Sequence, residues 1–239
     1  MCGIFGYKGE GKTAEILLEG ISKLDYRGYD SVGFATLDKK IHVKKGVGKI
    51  GVLKKKMDLS WLIGGMGISQ TRWATHGKVT TANAHPHLSC DGNVAVVHNG
   101  IIENFEEIKV ELIASGHVFR SETDSEVLAH LIEDALKKEK VLSKAVAGVL
   151  KGLQGRYAFV VMVKGYDEMI GVRNGSPLVV GVGDGESFVA SDVHAFMKHT
   201  NKAVVLDDGE MAVVGDDVSV LVDGSERKVE IQEINVKGM

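Results

Sequence analysis

The chain has 239 residues, 44% of them hydrophobic and 26% charged, with a formal net charge of −3. That length can bury a full core, and the slightly acidic balance excludes a surface built for nucleic acid or an anionic membrane. Two cysteines, Cys2 and Cys90, give no disulfide framework; no stretch is long enough to span a bilayer, and no signal-peptide pattern opens the chain, so a reducing, cytoplasmic setting is expected.

In chain order, residues 2–7 read as a short apolar strand. Residues 13–24 place Ile16, Leu17, Ile21 and Leu24 on one helical face, closed by Arg27-Gly28. Segments 31–37 and 40–45 read as a hairpin turning at Asp38-Lys39, and 66–73 and 94–98 as further strands. A helix follows with Asn104 as its cap and Glu107 three residues on. The next starts near Thr123, where Thr123 and Glu126 read as a capping box and Val127, Leu128, Leu131, Ile132 and Leu136 as the buried face; 143–150 reads as a third. Beyond Gly155, strand-like runs at 157–163, 168–172, 178–182, 188–190, 203–206, 210–214 and 218–222 alternate with Gly or Asp turns, which suits the 30 glycines. Helices between two sets of mostly antiparallel strands predict an α+β protein with facing sheets and helices outside. The expected domain is 1–223, with the polar 224–239 as the start of a linker.

Several motifs compete for a function. Gly6-Tyr7-Lys8-Gly9-Glu10-Gly11-Lys12-Thr13 has the spacing of a phosphate-binding loop, which would make the protein a nucleotide-binding switch using Lys12 and Thr13. That fold needs parallel strands with helical crossovers, and the second half of this chain reads as antiparallel. Gly46-Val47-Gly48-Lys49-Ile50-Gly51 matches a dinucleotide pattern but lacks the acidic residue about 20 positions on. His76, His85, His87 and His98 with Asp124 are conceivable zinc ligands of a metallohydrolase, although no helical His-x-x-x-His pair is present. Cys90, in the turn-forming Ser89-Cys90-Asp91-Gly92-Asn93, reads as incidental.

Cys2 is the most informative residue. Removing Met1 would leave its thiol and a free α-amine on one carbon, with reference pKa values of about 8.5 and about 7.7–8.0, so nucleophile and base would come from a single residue. The structural alternative is the start of a buried strand. Elsewhere Arg72 ends a strand beside Trp73, His98-Asn99-Gly100 offers an amide and an unhindered backbone N–H for an oxyanion, and Asp124 sits in the first turn of a helix. Each has a structural alternative, but together they suit a free amino acid with an amide to be attacked.

Six motifs occur in order: Met1-Cys2-Gly3-Ile4-Phe5-Gly6, Tyr26-Arg27-Gly28-Tyr29-Asp30-Ser31, 71–77, Asn83-Ala84-His85-Pro86-His87, His98-Asn99-Gly100-Ile101-Ile102-Glu103-Asn104 and Ser121-Glu122-Thr123-Asp124-Ser125-Glu126, extended by Gly175-Ser176-Pro177-Leu178 and Ala190-Ser191-Asp192. With them the chain resembles the class II glutaminase domains of the glutamine–fructose-6-phosphate aminotransferases. The resemblance implies an N-terminal-nucleophile hydrolase fold, four layers in αββα order with two stacked, mostly antiparallel sheets. It implies Cys2 as nucleophile, Asn99 and Gly100 as oxyanion donors, Arg72 on the carboxylate of L-glutamine and Asp124 on its ammonium, with Arg27, Trp73, Thr75 and His76 shaping the pocket, and Gly77 allowing the loop after Trp73 to close. No cofactor and no metal are implied. Ammonia would pass to a C-terminal sugar-phosphate isomerase domain, which lies outside this chain, or to a separate synthase subunit, and the full-length enzyme would be a homodimer.

Overall fold

The structure, a computed structural model, describes residues 2–74 and 77–235. The first half runs β1 (Gly3–Gly9), α1 (Thr13–Ser22), β2 (Ser31–Leu37), β3 (Ile41–Val47), α2 (Ile50–Leu53), β4 (Met66–Arg72), β5 (His87–Leu88) and β6 (Val94–Ile102). Three helices follow, α3 (Phe105–Ala114), α4 (Glu126–Lys138) and α5 (Leu142–Leu150). Strands then return as β7 (Gly155–Val163), β8 (Met169–Asn174), β9 (Val179–Val182), β10 (Glu186–Ala190), β11 (Lys202–Val205), β12 (Glu210–Val214), β13 (Val218–Val222), β14 (Ser225–Arg227) and β15 (Gln232–Glu233). The polar segment after Asp223 thus adds one short strand to each sheet.

Two sheets result, ordered β15-β11-β9-β10-β1-β4-β2-β3 and β14-β13-β12-β8-β7-β6-β5, and the named strands pair antiparallel throughout. Side chains alternate across each strand, and the alternation sorts the apolar residues into three layers. Ile4, Ile68, Ala95, Val97, Val160 and Met162 fill the space between the sheets. Phe5, Tyr7, Phe34 and Phe188 point away from it and pack on Leu17 and Ile21 of α1. Val96, Phe159 and Val161 meet Leu128 and Ile132 of α4 and Val146 of α5 on the far side. The order is α/β/β/α, as the resemblance implies.

β1 lies inside its sheet, hydrogen-bonded to β10 on one side and β4 on the other. Phe5 is wholly buried, and a fully buried Phe side chain contributes about 1.5–3 kcal/mol. α1 crosses β1 so closely that a Cβ on Gly20 would sit 2.2 Å from the Phe5 ring, so only glycine fits there. The residue preceding β1 is therefore held at the end of a strand fixed by neighbours on both sides and by α1 above it.

Several expectations about local structure are corrected. β6 runs on to Ile102, so Asn99 and Gly100 lie within a strand paired to β7 rather than after one. Asn104 stands at the N-cap position of α3, as expected, but its side chain makes no cap bond: it donates to Gly152 O at 2.9 Å and accepts from Gln154 N at 3.0 Å, tying two loops together. No capping box forms at Thr123. Ser125 takes the cap position of α4, and Glu126 reaches back to accept from Arg120 N and Ser121 N at 2.8 and 2.7 Å. Asp124 consequently precedes the helix rather than sitting in its first turn.

Candidate active site

Strand parity assembles the site. On β1, Cys2 shares the parity of Ile4, which faces the inter-sheet layer; on β4, Gln70 and Arg72 share that of Met66 and Ile68; on β6, Asn99 shares that of Ala95 and Val97. The β1–β4 register pairs Gly3 with Thr71, and one further step sets Cys2 beside Arg72. The open end of the inter-sheet layer thereby gathers a thiol, a guanidinium and two amides.

Hydrogen bonds fix them in place. Trp73 N donates to Cys2 Sγ at 3.2 Å, and the thiol lies 3.5 Å from Trp73 O. Cys2 O accepts from Asn99 Nδ2 at 3.0 Å and from Arg27 Nε at 3.3 Å. Asn99 Nδ2 also donates to Ser191 Oγ at 2.9 Å, while its Oδ1 accepts from Gln70 Nε2 at 3.1 Å. Ser191 Oγ in turn accepts from Ile4 N at 2.9 Å. Burial pushes the Cys2 thiol above its ordinary value, opposed by the Trp73 N–H and the Arg72 charge. A base placed next to it is therefore required for nucleophilicity near neutral pH.

Arg72 is buried, and desolvation holds its guanidinium below the usual range while Cys2, Asp30 and Asp124 oppose that shift. Its Nη1 donates to Lys78 O at 3.3 Å. Asp124, also buried, accepts from Ile102 N at 2.9 Å. Gly100 adopts φ +105°, and a Cβ there would lie 2.0 Å from Arg156 O, so the strand tolerates no side chain at this point. Trp73 is 44% exposed and tilts against Tyr29 with ring centroids 5.1 Å apart. Cys2, Arg72, Trp73, Gly100 and Asp124 line one recess of about 20 Å³, room for a single water.

Of the nine expected site residues, the structure brings together Cys2, Asn99, Gly100, Arg72, Trp73, Asp124 and Arg27; Thr75 and His76 lie outside the described residues. Asp30 and Asn83 support the site with no role predicted from the sequence, and His98 does so where the sequence offers it only as a conceivable zinc ligand. Asp30 accepts from Ala74 N at 2.7 Å and pins the turn after Arg72. Asn83 bridges Lys78 O and Glu122 Oε2, each at 2.9 Å, linking the segment beyond Trp73 to the one carrying Asp124. His98 faces the helical side of its sheet, with Nδ1 2.8 Å from Ser125 Oγ. The signal available was membership of the same ordered motifs, without any indication of partner.

The competing motifs do not assemble. Among the described residues, His85, His87, His98 and Asp124 do not converge as ligands: the His85 and His87 rings meet edge to face at 4.5 Å, and His98 turns to Ser125. Lys12 pairs with Glu15 at 3.0 Å, Thr13 Oγ1 donates to Gly64 O, and the strands around them are antiparallel, so no phosphate-binding loop forms.

A four-layer α/β/β/α sandwich with a cysteine leading into a central strand is an N-terminal-nucleophile fold. Residues 71–198, more than half of the chain, match the family model described as the glutamine amidotransferase domain, and the chain belongs to that family. It is 49% identical over 239 residues to the glutamine–fructose-6-phosphate aminotransferase (isomerizing) of Pyrococcus horikoshii, covering 98% of this chain and 40% of the relative. The Methanothermobacter thermautotrophicus and Acinetobacter baylyi proteins of the same name are 48% and 47% identical, each again over 98% of this chain and 40% and 39% of theirs. The chain thus spans about two fifths of the length of these relatives. Among solved structures, the glutamine phosphoribosylpyrophosphate amidotransferase of B. subtilis superposes with a TM-score of 0.81 at 29% identity, covering 93% of this chain and 49% of that one. No helix among the described residues is long and apolar enough to cross a membrane.

Proposed function

We propose that this domain hydrolyses L-glutamine to glutamate and ammonia, with Cys2 as nucleophile. The observation that carries the reading is that Cys2, Arg72, Trp73, Gly100 and Asp124 line a single recess at the end of the inter-sheet layer. Once Met1 is removed, the Cys2 α-amine takes the thiol proton and the thiolate attacks the side-chain amide carbon. The tetrahedral oxyanion is stabilised by Gly100 N–H and Asn99 Nδ2, the amide exchanging one of its present partners, Cys2 O or Ser191 Oγ, for the substrate oxygen. The amine passes its proton to the leaving nitrogen, ammonia departs, and a γ-glutamyl thioester remains. Water then attacks that carbonyl, regenerating the thiol and giving glutamate.

Arg72 binds the α-carboxylate and Asp124 the α-ammonium, which favours free glutamine over peptide-bound glutamine. Arg27, Trp73, Thr75 and His76 shape the surroundings. Gly77 lets the segment beyond Trp73 close over bound glutamine and exclude water during the reaction. The names of the relatives support fructose-6-phosphate as the acceptor of the ammonia, through an isomerase domain beyond this chain or a separate subunit; the same reading makes the full-length enzyme a cytoplasmic homodimer. The test is glutamate release from glutamine by protein whose N-terminus is verified by mass spectrometry. Cys2→Ala is expected to be inactive; full activity in a folded Cys2→Ala protein would overturn the assignment.

A further inference from the structure

We propose a structural zinc site formed by Cys90, His117, His130 and Glu133, on the outer side of the β6 sheet and separate from the recess at Cys2. Cys90 lies in the turn between β5 and β6, His117 in the connection after α3, and His130 and Glu133 one turn apart on α4. The four donor atoms lie within 4.8 Å of one another. His117 Nδ1 is 3.2 Å from His130 Nδ1 and 3.3 Å from Glu133 Oε2; His130 Nδ1 is 3.6 Å from the same carboxylate oxygen. Cys90 Sγ is 3.6 Å from His117 Nδ1 and 3.7 Å from His130 Nδ1.

Five of the six edges of this four-donor set are close to those of a metal tetrahedron, and the sixth, between Cys90 Sγ and the Glu133 carboxylate, lies within 4.8 Å. Zinc binds nitrogen at about 2.0–2.1 Å, carboxylate oxygen at about 2.0–2.2 Å and sulfur at about 2.3 Å. At tetrahedral angles such bonds give N···N and N···O edges of about 3.3–3.4 Å and S···N edges of about 3.6 Å. Four protein ligands close the coordination sphere, which defines a structural rather than a catalytic site. The mixed sulfur, imidazole and carboxylate set suits zinc better than magnesium or calcium, which take oxygen alone.

The surroundings prepare the donors. His117 Nε2 lies 3.0 Å from Asp134 Oδ2, so a ring donating there presents the Nδ1 lone pair to the cluster. Asp134 is itself held by Lys137 at 2.7 Å. His130 Nε2 faces Glu126 Oε1 at 3.6 Å. Val118 N donates to Cys90 Sγ at 3.3 Å, which orients the sulfur, and Cys90 N donates to Glu133 Oε2 at 3.1 Å. His117, His130 and Glu133 are all buried, and four lone-pair donors facing one buried point need either shared protons or a cation among them. A metal here would staple the β5–β6 turn and the connection after α3 to α4, directly behind the segment 121–125 that carries Asp124.

The test is metal content and cobalt spectroscopy. Protein purified after growth with zinc is expected to carry about one zinc per chain by elemental mass spectrometry. Cys2→Ser should keep that metal, whereas Cys90→Ser and His117→Ala should lose it. Cobalt-loaded Cys2→Ser protein should show thiolate-to-cobalt charge transfer, absent from the Cys2→Ser/Cys90→Ser double variant. If the ligand variants fail to fold, Asp134→Asn, which removes only the carboxylate behind His117, should weaken zinc affinity about 10- to 100-fold in competition with a chromophoric chelator. A folded chain that binds no zinc or cobalt at equimolar metal, metal retained by Cys90→Ser, or affinity unmoved in Asp134→Asn would each overturn the proposal.

Discussion

Trp73 donates its backbone N–H to Cys2 Sγ at 3.2 Å, so the thiol is oriented by the residue that follows the buried Arg72. The same two strands that set Cys2 beside Arg72 also set the direction of the sulfur. Four consequences of this geometry and its surroundings can be measured.

Asn99 divides its amide between Cys2 O and Ser191 Oγ, and the proposed mechanism transfers one of those hydrogens to the oxyanion. Losing such a donor costs about 2.7–4 kcal/mol in the transition state. Asn99→Ala is therefore expected to lower kcat for glutamine hydrolysis about 10²- to 10³-fold with KM little changed. A loss confined to KM would contradict the oxyanion role.

Asp124→Asn keeps an oxygen able to accept from Ile102 N but removes the charge assigned to the substrate ammonium. Hydrogen bonds to charged groups contribute about 1.5–3 kcal/mol, so kcat/KM should fall about 10- to 150-fold. Steady-state kinetics measures this, and a chain that still melts like the parent attributes the loss to binding. Unchanged kcat/KM would remove Asp124 from the site.

Gly100→Ala places a methyl group 2.0 Å from Arg156 O at a backbone φ of +105°. Strained backbone of this kind costs about 1–3 kcal/mol before the clash is counted, which corresponds to a fall in Tm of at least about 2–4 °C for a chain of this size. Calorimetry with no measurable change in Tm would show that β6 relaxes freely at this point.

His85 and His98 are buried, and burial holds both imidazoles below their ordinary value, His85 well below. The unfolded chain titrates these rings near pH 6.5, so below that pH the unfolded state binds more protons than the folded state. The stability they provide is complete above about pH 6.5 and declines as pH falls, by up to about 1.4 kcal/mol per pH unit for each ring. Urea denaturation between pH 7.5 and 5 should show the decline, and His85→Leu should flatten it. An identical slope in parent and variant would exclude His85 as a contributor.

Much of the strand and helix pattern was legible because apolar periodicity is local: α1, β2, β12 and β13 lie where spacing puts them. The errors cluster where a side chain found a distant partner. The spacing predicts Glu126 as half of a capping box, but it accepts from Arg120 and Ser121; Asn104 holds the predicted cap position, but its side chain joins two loops instead of capping. β6 continues through Asn99 and Gly100 because β7 pairs with it along its whole length, a non-local hydrogen-bond ladder invisible in a run of polar residues.

The sequence by itself determined the family, the cysteine at position 2 and the residue types of the candidate site, because those are written in ordered motifs. Only the tertiary structure decided that strand parity turns Cys2 and Arg72 toward one opening and sets the Asn99 amide against Cys2 O. It likewise moved Cys90 from an incidental turn residue to within 3.6 Å of His117, from which it is separated by 27 positions. Periodicity reports which face of an element is apolar, whereas a site depends on which faces meet, and that is fixed by sheet pairing and layer packing across the whole chain.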